Sequence, residues 1–181
     1  MFFLLSGALV SIPLTLFAQQ NLNPLLVGLS TVDITLISIT IFTPFIEEFS
    51  KVFPLIYRHG ETQKSIFLLA LFVGIGFGIV EFMTYYVTFG ASVIVSRIPG
   101  LFFHPASTSI AAYGIATKKP LPYFLLAVLL HFLNNIFAVT GSFGLLASII
   151  VTSISIILSW YLHTKTKEEF IETGNAGCSF Q

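Results

Sequence analysis

Charge is what this sequence has least of. Only 9% of its 181 residues are Asp, Glu, Lys or Arg, against about a quarter in a soluble domain. That shortage excludes a soluble globular chain. A formal net charge of zero also excludes the basic footprint of a nucleic-acid binder. Cysteine is nearly absent as well. The lone Cys178 rules out an internal disulfide and a metal site built on cysteines. No Gly-x-Ser-x-Gly elbow is present to carry a serine nucleophile. The segment from Met1 to Ala18 lacks the positive start of a secretory leader, so it reads as a first membrane span that is kept. The last four residues, Cys178 to Gln181, are a poor match to a prenylation box because of Ser179, and no lipidation is expected.

What remains is apolar length. Hydrophobic residues make up 55% of the chain, and a span needs about 20 of them in a run. Six runs qualify, from about Phe2 to Ala18, Leu25 to Tyr57, Ser65 to Phe89, Ala91 to Thr117, Pro122 to Val139 and Phe143 to His163. The expectation is an all-α polytopic membrane protein, a bundle of about six transmembrane helices in a single domain over residues 1–181, with a charged tail over 164–181. The second run is long enough to tilt or to extend past the bilayer, and Pro44 should kink it. Pro99, Gly100 and Pro105 interrupt the fourth, whose regular part is expected to begin near Pro105. Arg58, Lys64, Lys118, Lys119, Lys165 and Lys167 all fall in links on one side of a six-span protein, which predicts both termini in the cytoplasm. Ala70, Gly74 and Gly78 recur every four residues, a spacing that lets helices approach closely.

Against this background the stretch Thr43 to Lys51, with Glu47, Glu48 and Lys51, stands out. An ionised side chain at the centre of a membrane helix costs roughly 2.5–3.5 kcal/mol on insertion scales, and such a charge marks a functional site with a partner elsewhere. The other ionisable residues within spans are Glu81 in the third, Arg97 and His104 in the fourth and His131 in the fifth. Asp33 lies nearer the outer end of the second, where it reaches water, and Arg97 is placed where it can snorkel to the outer surface. Any one of these could be a satisfied interior group. Together, on four consecutive helices, they argue for one shared interior site. Helical spacing agrees: Glu47 and Lys51, Phe77 and Glu81, His104 and Thr108, and His131 and Asn135 are each four apart, so each pair shares a face. Glu47 and Lys51 can therefore pair, with Glu48 pointing about 100° away. His104 precedes Pro105, which disfavours helical geometry and suggests a helix start.

Glutamates and histidines together suit the activation of water. In one arrangement a glutamate is the general base, and His131 with Asn135 one turn on holds the oxyanion of a tetrahedral intermediate. In another, two histidines and a glutamate, with His104, His131 and Glu81 as the candidates, form the three-ligand set of a catalytic zinc with water in the fourth place. The His-Glu-x-x-His helix signature of many zinc proteases is missing, and both arrangements stay open.

The four motifs in order, Glu47-Glu48-Phe49-Ser50-Lys51, Phe77-Gly78-Ile79-Val80-Glu81, His104-Pro105-Ala106-Ser107-Thr108 and His131-Phe132-Leu133-Asn134-Asn135, resemble the PrsW-like branch of the CAAX-protease and bacteriocin-processing superfamily. The resemblance covers roughly Pro44 to Asn135. It implies an intramembrane peptidase that cuts a membrane-tethered regulatory protein such as an anti-sigma factor, with the first motif's glutamates activating water. Glu81 stands where the prenyl endopeptidase branch carries histidine, which favours the PrsW-like branch and argues against a prenylated substrate. The expected site is thus Glu47 or Glu48 as base and Lys51 as charge partner. Glu81 and His104 position water or a metal such as zinc, and His131 with Asn135 stabilises the oxyanion. The rival readings are a proton- or ion-coupled transporter, for which inverted repeats would be expected and none is visible, and an inactive scaffold or immunity protein, which would not require all four motifs.

Overall fold

A computed structural model describes residues 1–22, 24, 27–28, 30–56, 61–138 and 142–171. Among the described residues there are six helices: α1 (Phe2–Leu22), α2 (residues 31–56), α3 (Gln63–Phe89), α4 (Ile94–Ala116), α5 (Pro120–Ala138) and α6 (Ser142–His163). Among the described residues the only β pairing is an isolated bridge between Thr62 and Phe170. Within the described residues, four stretches are long and apolar enough to cross a membrane: Phe2–Leu22, Gln63–Ala116, Pro120–Phe137 and Phe143–His163. The second of these holds both α3 and α4, which reverse direction at Gly90 (φ 72°) and a short 3₁₀ turn, Gly90–Val93. Helix α2 falls outside the four because Glu47, Glu48 and Lys51 interrupt it.

The bundle is inverted relative to a soluble protein. Its outer faces carry Leu9, Val87, Ile157 and Trp160, all well exposed, while its interior holds Glu48 and Lys51 at 0% exposure. A water-soluble chain arranged this way would gain nothing from folding; a chain in lipid satisfies both faces.

Helix α4 is the axis, packed against α2, α3, α5 and α6. It runs unbroken from Ile94 to Ala116 through both Pro99 and Pro105, so its regular part begins eleven residues before the expected start. His104 accordingly lies in mid-helix, not at a helix start. Packing on α3 overrides the local preference. A Cβ at Gly74 would overlap the Pro105 Cα and the His104 carbonyl, and one at Gly78 would come within 3.3 Å of the Leu101 carbonyl. The four-residue glycine spacing therefore sets how closely α3 meets α4 beside His104. Gly74→Ala is expected to cost roughly 1–3 kcal/mol, as overpacking does, read as a fall in melting midpoint in detergent. Gly100→Ala, where an added Cβ meets open space, is the control and should not destabilise.

Helix α1 packs on α3 by the same device, with Gly7 against the Val73 carbonyl and Gly76 against the Leu4 carbonyl. The Ser11 hydroxyl donates to the Ser50 carbonyl at 2.9 Å and ties α1 to α2. In α2 the irregularity precedes Pro44. A π-helical turn occupies Ser38–Phe42, just before Pro44, and the helix continues through Thr43–Ile56. The strand-like start of the tail lies across the beginning of α3. Gln63 N–H donates to the Glu169 carbonyl, Ile171 N–H to the Glu61 carbonyl, and Lys64 pairs with Glu168 at 3.1 Å. Arg58, Cys178 and the rest of the tail lie outside the described residues.

Candidate active site

The turn of α2 that carries Glu47, Glu48, Ser50 and Lys51 is buried against α3, α4 and α5. A buried ammonium needs a partner for each of its three protons, and Lys51 has three. Its Nζ lies 2.6 Å from Glu48 Oε1, 3.1 Å from His104 Nδ1 and 3.3 Å from Ser107 Oγ, with the Phe77 ring 5.1 Å away. The salt bridge thus joins Lys51 to Glu48, not to Glu47 as the four-residue spacing suggested. Residues three and four apart are both neighbours on a helix, and the surroundings decide between them. Glu48 Oε1 also accepts from Ser107 Oγ at 3.0 Å and lies 2.8 Å from His131 Nδ1, so α4 and α5 converge on it.

These contacts assign the imidazole protons. His131 donates from Nδ1 to the Glu48 carboxylate, which leaves the Nε2 lone pair free; Nε2 lies 3.6 Å from Glu47 Oε2. His104 accepts from Lys51 at Nδ1 and donates from Nε2 to Glu81 Oε2 at 2.5 Å. The two imidazoles meet edge to face with centroids 5.4 Å apart. Two carboxylate oxygens here, Glu47 Oε2 and Glu48 Oε2, are buried without a hydrogen-bond partner. Glu48 is anchored through its other oxygen, while Glu47, 6% exposed, meets the network through the 3.6 Å approach to His131.

Donor atoms of Glu47, His104 and His131 all lie within 4.8 Å of one another. Two ligands each about 2.1 Å from a tetrahedral zinc stand about 3.4 Å apart, close to the 3.6 Å between Glu47 Oε2 and His131 Nε2. A carboxylate behind a histidine, as Glu48 is behind His131, is the arrangement that orients metal-binding imidazoles. A buried carboxylate oxygen without a partner and a free imidazole lone pair beside it fit a cation. Within the described residues, the group in ligating reach contains Glu47 where the sequence suggested Glu81. Glu81 stands one step out, on the far side of His104.

Asn135 uses one amide hydrogen on the Ile39 carbonyl, 3.0 Å away, and its second remains available. It lines the same recess as Glu81, His104 and His131. This recess adjoins a cavity of about 410 Å³ whose wall includes Glu47, Glu81, Arg97 and Asn135. Thr108 takes no part, since its hydroxyl donates to the His104 carbonyl. Asp33 is exposed and bonded to Ser30. Ser107 was not singled out from the sequence, although it lies three residues after His104 and so on the same face of α4.

The fold and site together define a membrane bundle that gathers three glutamates, two histidines and a lysine in its interior. The family profile of the PrsW family of intramembrane metalloproteases matches residues 1–162, and the chain belongs to that family. It is therefore an integral membrane protease. No curated protein and no solved structure matches it.

Proposed function

We propose that the chain hydrolyses a peptide bond of a membrane-associated protein, with Glu47 as the reacting carboxylate. The family resemblance suggests a tethered regulatory protein of the anti-sigma-factor kind as substrate, and the basic links at Lys64, Lys118 and Lys119 favour cytoplasmic termini. The observation that carries the reading is the state of Glu47. It borders the 410 Å³ cavity, and its buried Oε2 has no hydrogen bond. Glu48 Oε2 is likewise buried without a hydrogen bond, but Glu48 is anchored through Oε1 by Lys51, Ser107 and His131 and is fully buried, whereas Glu47 faces the cavity.

Glu47 and His131 Nε2 would hold the metal that the family implies, and His104 would join them once Glu81 has taken its Nε2 proton. When bound, it supplies Lewis acidity and lowers the pKa of water. The chain's own groups do the rest. Glu48 fixes the His131 tautomer and ring plane through Nδ1. Lys51 neutralises Glu48 and accounts for its burial. With Glu47 Oε2 turned to His131, the other carboxylate oxygen accepts the proton of the attacking water. Glu81 receives the His104 Nε2 proton. The second Asn135 amide hydrogen is placed to donate to the carbonyl oxygen as it gains charge.

The test is a metal analysis of the purified protein beside chelator titration of cleavage of a single-span substrate in liposomes. About one transition-metal ion per chain, with activity lost on chelation and restored by zinc, is expected. Metal-free protein that cuts at full rate would leave Glu47 as a base and discard its role as a ligand.

A further inference from the structure

Among the described residues of the cavity wall, Arg97 is the cation that the network above leaves without a carboxylate in ion-pair reach. Glu48 is held by Lys51, Glu81 by His104, and Glu47 faces His131. Among the described residues, no carboxylate lies within ion-pair distance of the guanidinium. It rests instead on the face of Tyr85, 3.5 Å from the ring centroid, a contact that holds the plane of the side chain and leaves its N–H groups unpaired with any acid. Both Arg97 and Tyr85 line the 410 Å³ cavity with Glu47, and both line the recess with His104 and His131. A guanidinium held in place near a helix start, inside a membrane protein and beside the reacting groups, has the geometry that suits a planar anion.

We propose that Arg97 is a positioning residue that receives a carboxylate of the peptide substrate, two to three residues from the bond that is cut. The spacing comes from the helices. On α4, Arg97 lies seven residues before His104, two turns along the same face and about 10 Å away. On α3, Tyr85 lies four residues past Glu81, about 6 Å along. The Arg97–Tyr85 contact therefore forms a second rung of the α3–α4 hairpin, beyond the Glu81–His104 rung. An extended peptide advances about 3.3 Å per residue, so a gap of about 6–10 Å corresponds to two or three residues. The carboxylate could be an Asp or Glu side chain, or the terminal carboxylate of a short product-like end. The proposal rests on the peptidase reading above.

The experiment uses the full chain in phosphatidylcholine liposomes with a single-span peptide library randomised around its centre. Cut sites are read by mass spectrometry, and half of the library carries amidated C-termini. Asp and Glu should be enriched about tenfold or more over Asn and Gln at one position, two or three residues from the cut. Arg97→Gln should bring that ratio close to one, and Arg97→Glu should shift the preference to Lys and Arg. Arg97→Lys should keep the preference at reduced strength, and it carries the comparison if Arg97→Gln does not fold. An enrichment confined to the unamidated peptides would assign the terminal carboxylate as the group received. Cleavage without acidic preference would overturn this proposal and leave the peptidase intact, whereas no cleavage of any peptide would remove both. A preference that survives in Arg97→Gln would also overturn it. So would a rate that depends on added phosphatidylglycerol through Arg97 with no selection among peptides, since that would make Arg97 a lipid anchor.

Discussion

Glu47→Gln should lower the cleavage rate of a single-span substrate in liposomes by roughly a thousandfold, within the range a lost general base costs, while the melting midpoint in detergent holds or rises. The two effects separate because of what surrounds the side chain. Its Oε2 has no hydrogen bond in the fold, so the amide forfeits none there and removes a buried charge that only the reaction uses. Glu48→Gln should behave differently. That carboxylate joins Lys51, Ser107 and His131 through one oxygen, so its loss should lower rate and midpoint together. If Glu47→Gln cuts at more than a tenth of the wild-type rate, Glu47 is not the reacting carboxylate. A variant that is inactive but also strongly destabilised would mean that Glu47 supports the fold.

The contrast between the adjacent glutamates marks the limit of what the sequence could reveal. That charges in apolar runs mark an interior site was legible, because lipid excludes charge so strongly that each survivor needs a reason. The four motifs in order identified which helices meet, and Glu48, Lys51, His104 and His131 do meet. Which glutamate Lys51 would choose was not legible. Helical spacing allows both, and the choice is made by Ser107 and His131, whose arrival depends on tertiary packing. The same holds for His104. Its proline neighbour argued for a helix start, but α4 continues because Gly74 lets α3 press against the backbone at His104 and Pro105. Glycine spacing signalled a close approach without saying what would be approached. Arg97 was ambiguous for a related reason. Its position in the chain suits a snorkelling residue, and only the Tyr85 ring beneath it and the cavity beside it draw it into the site.

Lys51→Met should destabilise the protein by roughly 3–5 kcal/mol, the cost of leaving a buried carboxylate without its cation. Methionine fills the volume of the lysine stem, so the loss isolates charge from packing. Glu48 would retain Ser107 and His131 as donors but no formal positive charge, and Ser107 would lose one of its partners. Removing the acid as well should reverse most of the loss, since a buried ion pair replaced on both sides by neutral groups is often close to neutral in stability. The measurement is a double-mutant cycle of denaturation midpoints over wild type, Lys51→Met, Glu48→Gln and the double variant. Non-additivity of several kcal/mol is expected, and additive losses would mean that the 2.6 Å pair contributes no coupling. The double variant should nevertheless be inactive. Without the Glu48 carboxylate nothing fixes the proton on His131 Nδ1, and without Lys51 nothing donates to His104 Nδ1. The His131 proton is then free to move to Nε2, facing Glu47, where the reaction needs a lone pair, and the His104 proton is no longer confined to Nε2 beside Glu81. Stability recovered without activity would identify Lys51 and Glu48 as the pair that sets the tautomers of both histidines. Recovery of both would show that the histidines need neither.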